Sequence, residues 1–156
     1  MPQLTGKAAL ITGGSRGIGA AIAKHLARGG ADVAITYSSS PDKANAVVDE
    51  IKSSGRRAIA IKADSADPAA VTAAVNRTAV ELGRLDILVN NAGIYSPCKF
   101  EDTSLADMDR MWAVNVRAPI VASQAALKHM TEGGRIINIG SCLAERVPGP
   151  GVTLYS

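Results

Sequence analysis

The sequence predicts an α/β fold in which helices cover both faces of a parallel sheet. Short apolar runs alternate along the chain with stretches of helical spacing, which is the pattern of strand–helix–strand units. The apolar runs are nearly continuous, as expected for strands that are buried on both faces. The 156 residues are 47% hydrophobic but only 3% aromatic, so small aliphatic residues must supply most of the core.

The first half of the chain contains three predicted strand–helix pairs. Each strand is a short apolar run, and the strands are predicted at 7–12, 32–37 and 57–64. The helices are predicted at 17–30, 41–54 and 68–82. The first helix places Ile18, Ile22 and Leu26 on one face and ends in two glycines, whereas the other two carry proline in the first turn.

The second half continues the alternation and then stops. A strand begins at residue 86 and leads into the motif NNAG, a long helix is predicted at 105–130, and a fifth strand at 135–141. A Pro/Gly-rich loop at 144–152 follows, and the alternation of strands and helices predicts another helix after it. We therefore expect residues 1–156 to form a single domain whose sheet is incomplete at its C-terminal edge.

Charge and cysteine usage exclude several classes of protein. The net charge of +3 comes from scattered basic residues rather than from the basic patch of a nucleic-acid-binding protein. Cys98 and Cys142 are far apart in sequence, so neither a metal site nor a disulfide framework is expected. The sequence has no signal peptide pattern and no apolar run of about 18 residues or more. These features predict a cytoplasmic protein that does not bind membranes.

A glycine-rich turn joins the first strand to the first helix. It reads TGGSRGIG at 12–19. Gly13, Gly17 and Gly19 permit a tight turn and close approach of a ligand to the backbone, and the start of the helix presents free N–H groups to an anion. Because this turn opens the first strand–helix–strand unit, it predicts a Rossmann-type doubly wound sheet that binds a dinucleotide. A merely tight turn is the alternative.

The end of the second strand favours NADP(H) over NAD(H). Sites for NAD usually have an Asp or Glu there, which binds the ribose 2′-hydroxyl. This chain has TYSSS at 36–40, with no acidic residue. Serine hydroxyls donate to a 2′-phosphate, and Arg16 adds a positive charge and a forked donor. We predict Arg16 and Ser38 as the main phosphate contacts; the alternative is a surface charge beside a polar turn.

Several motifs, taken in order, resemble those of the short-chain dehydrogenase/reductase family. They are TGGSRGIG, Asp64 after the third strand, NNAG at 90–93, Asn115 in the long helix, Ser141 after the fifth strand, and Tyr155. The resemblance covers essentially the whole chain. It implies hydride transfer between a nicotinamide cofactor and a carbonyl or alcohol, in which the cofactor carries the difficult chemistry.

The resemblance also implies a role for each site residue. Tyr155 would give a proton to the carbonyl oxygen, Ser141 would orient that oxygen, and Asn115 would shape a helix break and hold a water; no metal is expected. The implied cofactor-binding residues are Gly13, Ser15, Arg16, Gly17, Ile18, Gly19, Tyr37, Ser38, Ser39, Ala63, Asp64, Ser65, Asn91, Ala92, Gly93, Val114 and Tyr155. Among these, Asp64 would contact the adenine amino group.

Each of these residues has a purely structural alternative. Asp64 could cap the third helix, although Asp67 is better placed for that. Asn115 could only kink its helix, Ser141 could cap a strand end, and Tyr155 could be a packed aromatic. These alternatives weaken together because the three residues fit one constellation.

The resemblance implies one further catalytic residue that does not lie within residues 1–156. The family has a lysine four residues beyond the tyrosine, whose charge stabilises the tyrosine phenolate, but the sequence stops at Ser156, one residue after Tyr155. We therefore expect this sequence to be the front part of a longer protein and the 156-residue piece alone to be inactive.

Within the family, the glycine-rich turn, the TYSSS loop and the basic balance most resemble the 3-oxoacyl-carrier-protein reductases of fatty acid biosynthesis. Their substrate rides on an acidic carrier that a basic surface would attract. A homo-oligomer, either a tetramer or a dimer, is implied as well. The alternatives are a broad ketone, quinone or sugar dehydrogenase of the same family, and a non-catalytic sensor of NADP.

Overall fold

Five parallel strands form one sheet in the computed structural model, which describes residues 3–146, 149 and 151–156. They are β1 (Ala8–Ile11), β2 (Asp32–Tyr37), β3 (Ala58–Lys62), β4 (Ile87–Asn90) and β5 (Arg135–Asn138). The strand order is β3-β2-β1-β4-β5, and every neighbouring pair is parallel. The predicted doubly wound sheet is therefore confirmed. Its order reverses between β1 and β4, where such sheets bind ligands at the carboxyl ends of the strands.

Within the described residues, five α-helices flank this sheet. They are α1 (Gly17–Arg28), α2 (Pro41–Ser53), α3 (Pro68–Leu82), α4 (Leu105–Trp112) and α5 (Ala118–Ala126). A π-helical turn, Ala113–Arg117, joins α4 to α5, and short 3-10 turns lie at Phe100–Asp102 and Cys142–Ala144. The predicted helix at 105–130 is thus irregular at its centre and ends four residues early. Its end tightens because His129 N donates to Ala126 O at 2.9 Å, an i→i−3 bond.

The two faces of the sheet bury separate apolar layers. Two consecutive residues of β1 show this, because their side chains point to opposite faces. Leu10 packs with α3 and α5, whereas Ile11 packs with α1 and α2. The helices contribute mainly alanine to both layers, which lets them lie close to the sheet. The strand β5 differs, since Ile137 is 44% exposed. This exposure agrees with the expected incomplete edge. Residues 147, 148 and 150 of the predicted Pro/Gly-rich loop lie outside the described residues.

A carboxylate joins β1 to β4 at the end of the sheet opposite the crevice. The side chain of Asp86 is only 8% exposed. It accepts hydrogen bonds from Ala8 N at 2.9 Å, from the Arg84 guanidinium at 2.6 and 2.7 Å, and from Lys7 Nζ at 3.1 Å. Burial alone would raise the pKa of this carboxyl, but the hydrogen bonds, led by that of Arg84, outweigh burial and hold the pKa below its usual value.

The lowered pKa of Asp86 makes its contribution to stability dependent on pH. The folded-state pKa lies below the unfolded value, so the contribution is present above the unfolded pKa and is lost as pH falls through the folded pKa. We expect Asp86→Asn to lower the free energy of unfolding by about 1–3 kcal/mol at neutral pH. The difference should shrink between about pH 5 and about pH 2.

Urea denaturation of both proteins across this pH range measures the effect. Asp49→Asn is the control, because Asp49 is exposed on α2 away from the first turn, where a carboxylate would stabilise the helix. A difference for Asp86→Asn that stays constant down to the acid limit would contradict the prediction.

Candidate active site

A cavity of about 500 Å³ opens at the carboxyl ends of the central strands. Every predicted cofactor-binding residue except Tyr155 lines it. The cavity is also lined by four residues that sequence reasoning missed, namely Thr36, Ser40, Ile94 and Arg110. The segments after β1, β2, β3 and β4 therefore converge on one space, as the strand order requires.

Thr12 ties the glycine-rich turn to the segment after β4. Its Oγ1 accepts hydrogen bonds from Asn91 N and Ala92 N, both at 3.0 Å. In return, Asn91 Nδ2 donates to Thr12 O at 2.9 Å and to Gly13 O at 3.2 Å. The NNAG motif thus holds the turn in place beside the cavity.

Thr36 holds the other side of the same turn. Gly13 N donates to Thr36 Oγ1 at 3.0 Å, and Gly14 N donates to Thr36 O at 2.9 Å. The signal for this residue was present in the sequence, since Thr36 begins the TYSSS stretch whose serines were predicted to bind phosphate. The turn is consequently clamped between β2 and β4 by hydrogen bonds on both sides.

Two glycines allow the backbone to approach itself closely in this turn. Gly13 has a φ of +67°, and a Cβ there would lie 3.0 Å from Ala92 Cα. A Cβ on Gly19 would lie 2.5 Å from both Gly13 O and Asn91 Nδ2. No side chain fits at either position without moving backbone, so the start of α1 lies directly against the turn.

The start of α1 has no capping group of its own. Its N-cap residue, Arg16, makes no side-chain hydrogen bond to the helix, and the first turn has no acidic residue. By contrast, Asp67 caps α3 and Ser104 caps α4. The first N–H groups of a helix have no partner within the helix, and here they border the cavity. The geometry suits a bound anion.

The part of the cavity that borders the segments after β2 and β3 carries little negative charge. The segment after β2 contributes Tyr37 and three serines, of which Ser38 and Ser39 are exposed. Asp64 is the one acidic residue lining the cavity among the described residues, and it pairs with Arg110. Asp67, rather than Asp64, caps α3 through a 2.8 Å bond from Ala69 N, as expected. The structural alternative for Asp64 as that cap is therefore wrong.

Asn115 fixes the loop that follows β4. It lies in the π-helical turn, where its Oδ1 accepts from Ile94 N and its Nδ2 donates to Ile94 O, both at 2.9 Å. The expected local break at Asn115 is therefore confirmed. Such π-turns are frequent at functional sites. The turn also places the buried Val114 against the cavity.

Ser141 lies in the segment after β5, and Tyr155 contacts the segment after β4. Ser141 Oγ accepts from Leu143 N at 3.2 Å, and a hydroxyl that accepts can still donate its proton. The Tyr155 ring meets Tyr95 edge-on, with centroids 5.2 Å apart and planes at 78°. Within the described residues no hydrogen bond joins Asn115, Ser141 and Tyr155; each contacts instead the segment after β4 or β5.

The described part of the chain contains neither a metal-binding cluster nor a membrane-spanning helix. Residues 3–146, 149 and 151–156 have no group of three or more His, Cys, Asp or Glu side chains arranged to hold a metal ion. Within the same residues, no helix has the length and apolar character needed to cross a bilayer.

The family model described as short chain dehydrogenase matches residues 7–156. The chain belongs to the short-chain dehydrogenase family. The chain is 63% identical to a short chain dehydrogenase from Burkholderia cenocepacia, solved in complex with NADP, with a TM-score of 0.97 over 98% of this chain and 62% of that one.

Curated relatives of this chain include two proteins named as reductases. A versicolorin reductase of Emericella nidulans is 44% identical over 99% of this chain and 58% of its own length. A probable tetrahydroxynaphthalene reductase of Zymoseptoria tritici is 41% identical, with the same coverage of both chains. The chain thus spans about three fifths of the length of the relatives it matches.

Proposed function

We propose that the protein is an NADP(H)-dependent oxidoreductase that transfers hydride between nicotinamide and a carbonyl or alcohol group. The observation that carries the proposal is that almost every residue predicted to bind the cofactor lines the same cavity. The Burkholderia structure, which has NADP bound, supports the choice of cofactor.

The residues present fit a phosphorylated dinucleotide. The uncapped start of α1 and the side-chain-free surface at Gly13 and Gly19 suit a pyrophosphate. Arg16 and Ser38 would hold the 2′-phosphate, since both are exposed at the cavity and residues 38–40 after β2 include no carboxylate. Asp64 would accept a hydrogen bond from the adenine amino group at the end of β3.

The chain supplies the groups that manage the proton. When bound, the cofactor supplies or accepts the hydride. The Tyr155 hydroxyl would donate its proton to the carbonyl oxygen, and the Ser141 hydroxyl would donate a hydrogen bond to the same oxygen. Asn115 holds Ile94 through both atoms of its amide, which positions the loop that carries Tyr95.

A cyclic aromatic ketone or a quinone is the substrate class that we propose. The names of the two fungal relatives, a versicolorin reductase and a tetrahydroxynaphthalene reductase, support this alternative over a carrier-bound 3-oxoacyl substrate and a place in fatty acid biosynthesis. Tyr95 also supports it, because its ring is 49% exposed beside Tyr155 and offers an aromatic face. The homo-oligomer, tetramer or dimer, stays a prediction.

Cofactor choice tests the proposal most directly. We expect Arg16→Ala to raise the KM for NADPH about tenfold. The KM for NADH should change less than about twofold, because only the 2′-phosphate loses its charged partner. The measurement follows nicotinamide absorbance with a hydroxynaphthalene-derived ketone, a quinone and a 3-oxoacyl thioester as substrates.

Arg28→Ala is the matched control, since it removes the same charge from the other end of α1, away from the cavity. Equal losses with both nucleotides would refute the role of Arg16. NADPH binding without oxidation in the presence of any carbonyl substrate would instead indicate the non-catalytic sensor.

A further inference from the structure

We propose that Arg110 is a positioning residue that orients Asp64 for the adenine amino group, and that Arg117 anchors the same turn. The inference rests on the proposed NADP(H) function and extends it to two residues outside the family motifs. It concerns the turn at 63–67, which links β3 to α3 and lines the cavity through Ala63, Asp64 and Ser65.

The first observation is the contact between Arg110 and Asp64. Arg110 Nη1 lies 3.6 Å from Asp64 Oδ2, while Asp64 Oδ1 accepts from Ala66 N at 2.9 Å. Oδ1 is therefore held by a hydrogen bond, whereas Oδ2 is oriented by a charged neighbour beyond hydrogen-bond distance. A carboxylate offers about four lone-pair sites, so both oxygens retain capacity to accept a further hydrogen bond from a ligand.

The second observation is that another arginine on the same helical segment holds the backbone of this turn. Arg117 Nη2 donates to Ala66 O at 2.9 Å. Arg110 lies in α4, and Arg117 is the last residue of the π-helical turn that follows it. The side chains of both arginines reach across to one short turn, so the segment 105–126 fixes the backbone at Ala66 and the carboxylate at Asp64 independently.

Fold stability does not account for the Arg110–Asp64 pair. The side chains of Arg110 and Asp64 are 55% and 48% exposed, and ion pairs of this kind contribute little to folding. Both residues nevertheless line the cavity, where Asp64 is the one acid among the described lining residues. Its charge would repel the phosphates of a dinucleotide if it were unpaired. Arg110 offsets this charge and leaves the oxygens free to accept from an amino group.

The experiment compares NADPH with its hypoxanthine analogue, which lacks the amino group that Asp64 would accept from. We expect the purified protein to bind NADPH about tenfold more tightly than the analogue. Arg110→Ala should reduce this preference to about twofold, since an unrestrained carboxylate pays more to be ordered. Arg110→Lys should restore part of it, because the charge is kept and the fork is lost. Fluorescence titration gives both dissociation constants.

Arg77→Ala is the control, because Arg77 pairs with Glu81 on the surface of α3, outside the cavity. This variant should prefer NADPH over the analogue by the same factor as the unchanged protein. A preference unchanged in Arg110→Ala, or both nucleotides weakened by the same factor, overturns the positioning role. If Arg110→Ala fails to fold, the ratio of the dissociation constants for the analogue and for NADPH is measured in Arg110→Lys and Arg117→Lys instead. Absence of binding of either nucleotide by the unchanged protein overturns the proposed function itself, whereas tight NADPH binding without any preference overturns only this inference.

Discussion

Tyr155→Phe is expected to lower kcat about a thousandfold, because the substitution removes the hydroxyl that gives the proton to the carbonyl oxygen. The ring stays, so its edge contact with Tyr95 and the packing of the last residues should be kept. The dissociation constant of NADPH should therefore change by less than about twofold. Steady-state kinetics of the complete natural protein with a quinone or an aromatic ketone, together with a titration of NADPH, separates the two effects.

The same pair of rings supplies the control. Tyr95→Phe removes the other hydroxyl and also keeps the edge contact, so its kcat should stay within about threefold of the unchanged protein. A Tyr155→Phe variant with full kcat would exclude Tyr155 as the proton donor. A thousandfold loss in both variants would instead mean that both hydroxyls take part, so that Tyr155 is not distinguished as the proton donor.

The elements that could be predicted from sequence are those whose cause is local. A glycine-rich turn between a strand and a helix has the same meaning wherever it occurs, and the structure places the predicted residues 13–19 at the start of α1 beside the cavity. The boundaries of β2 and α3 were also predicted to the residue. Each begins and ends at a chemical signal, such as Pro68 at the first turn of α3 and Gly83 after its last.

The contacts that could not be predicted join segments distant in sequence. Arg110 meets Asp64 only because α4 and the turn after β3 converge at one edge of the sheet. Arg110 carried no signal of its own, since an arginine on an amphipathic helix usually faces solvent. Thr36 belongs to a stretch that had a sequence signal, but the bond that its hydroxyl accepts from Gly13 N, in the turn after β1, had none.

The irregularity at Asn115 falls between these cases. A buried asparagine in an apolar helix needs a partner, whereas the break itself was implied by the resemblance to the family. The partner, both backbone atoms of Ile94, depends on how β4 enters its following loop. The π-helical form of the break therefore follows from tertiary structure and not from the sequence of the helix alone.

Gly19→Ala is expected to cost the protein about 2 kcal/mol, which will be distributed between stability and NADPH affinity. The new Cβ would lie 2.5 Å from Gly13 O, and backbone cannot yield as a flexible side chain does. If the turn keeps its shape, the whole strain lowers the free energy of unfolding and leaves the dissociation constant unchanged. If the turn opens to relieve the strain, the competent form is populated at about 3% and the dissociation constant of NADPH rises about thirtyfold.

Urea denaturation and NADPH titration on the same preparation measure both parts, and their sum should be close to the full strain whichever way it divides. Gly140→Ala is the matched control, since a Cβ there meets nothing within 4 Å and its φ is not positive. It should change neither quantity. A Gly19→Ala variant with unchanged stability and unchanged affinity would show that the close approach of α1 to Gly13 does not shape the nucleotide site.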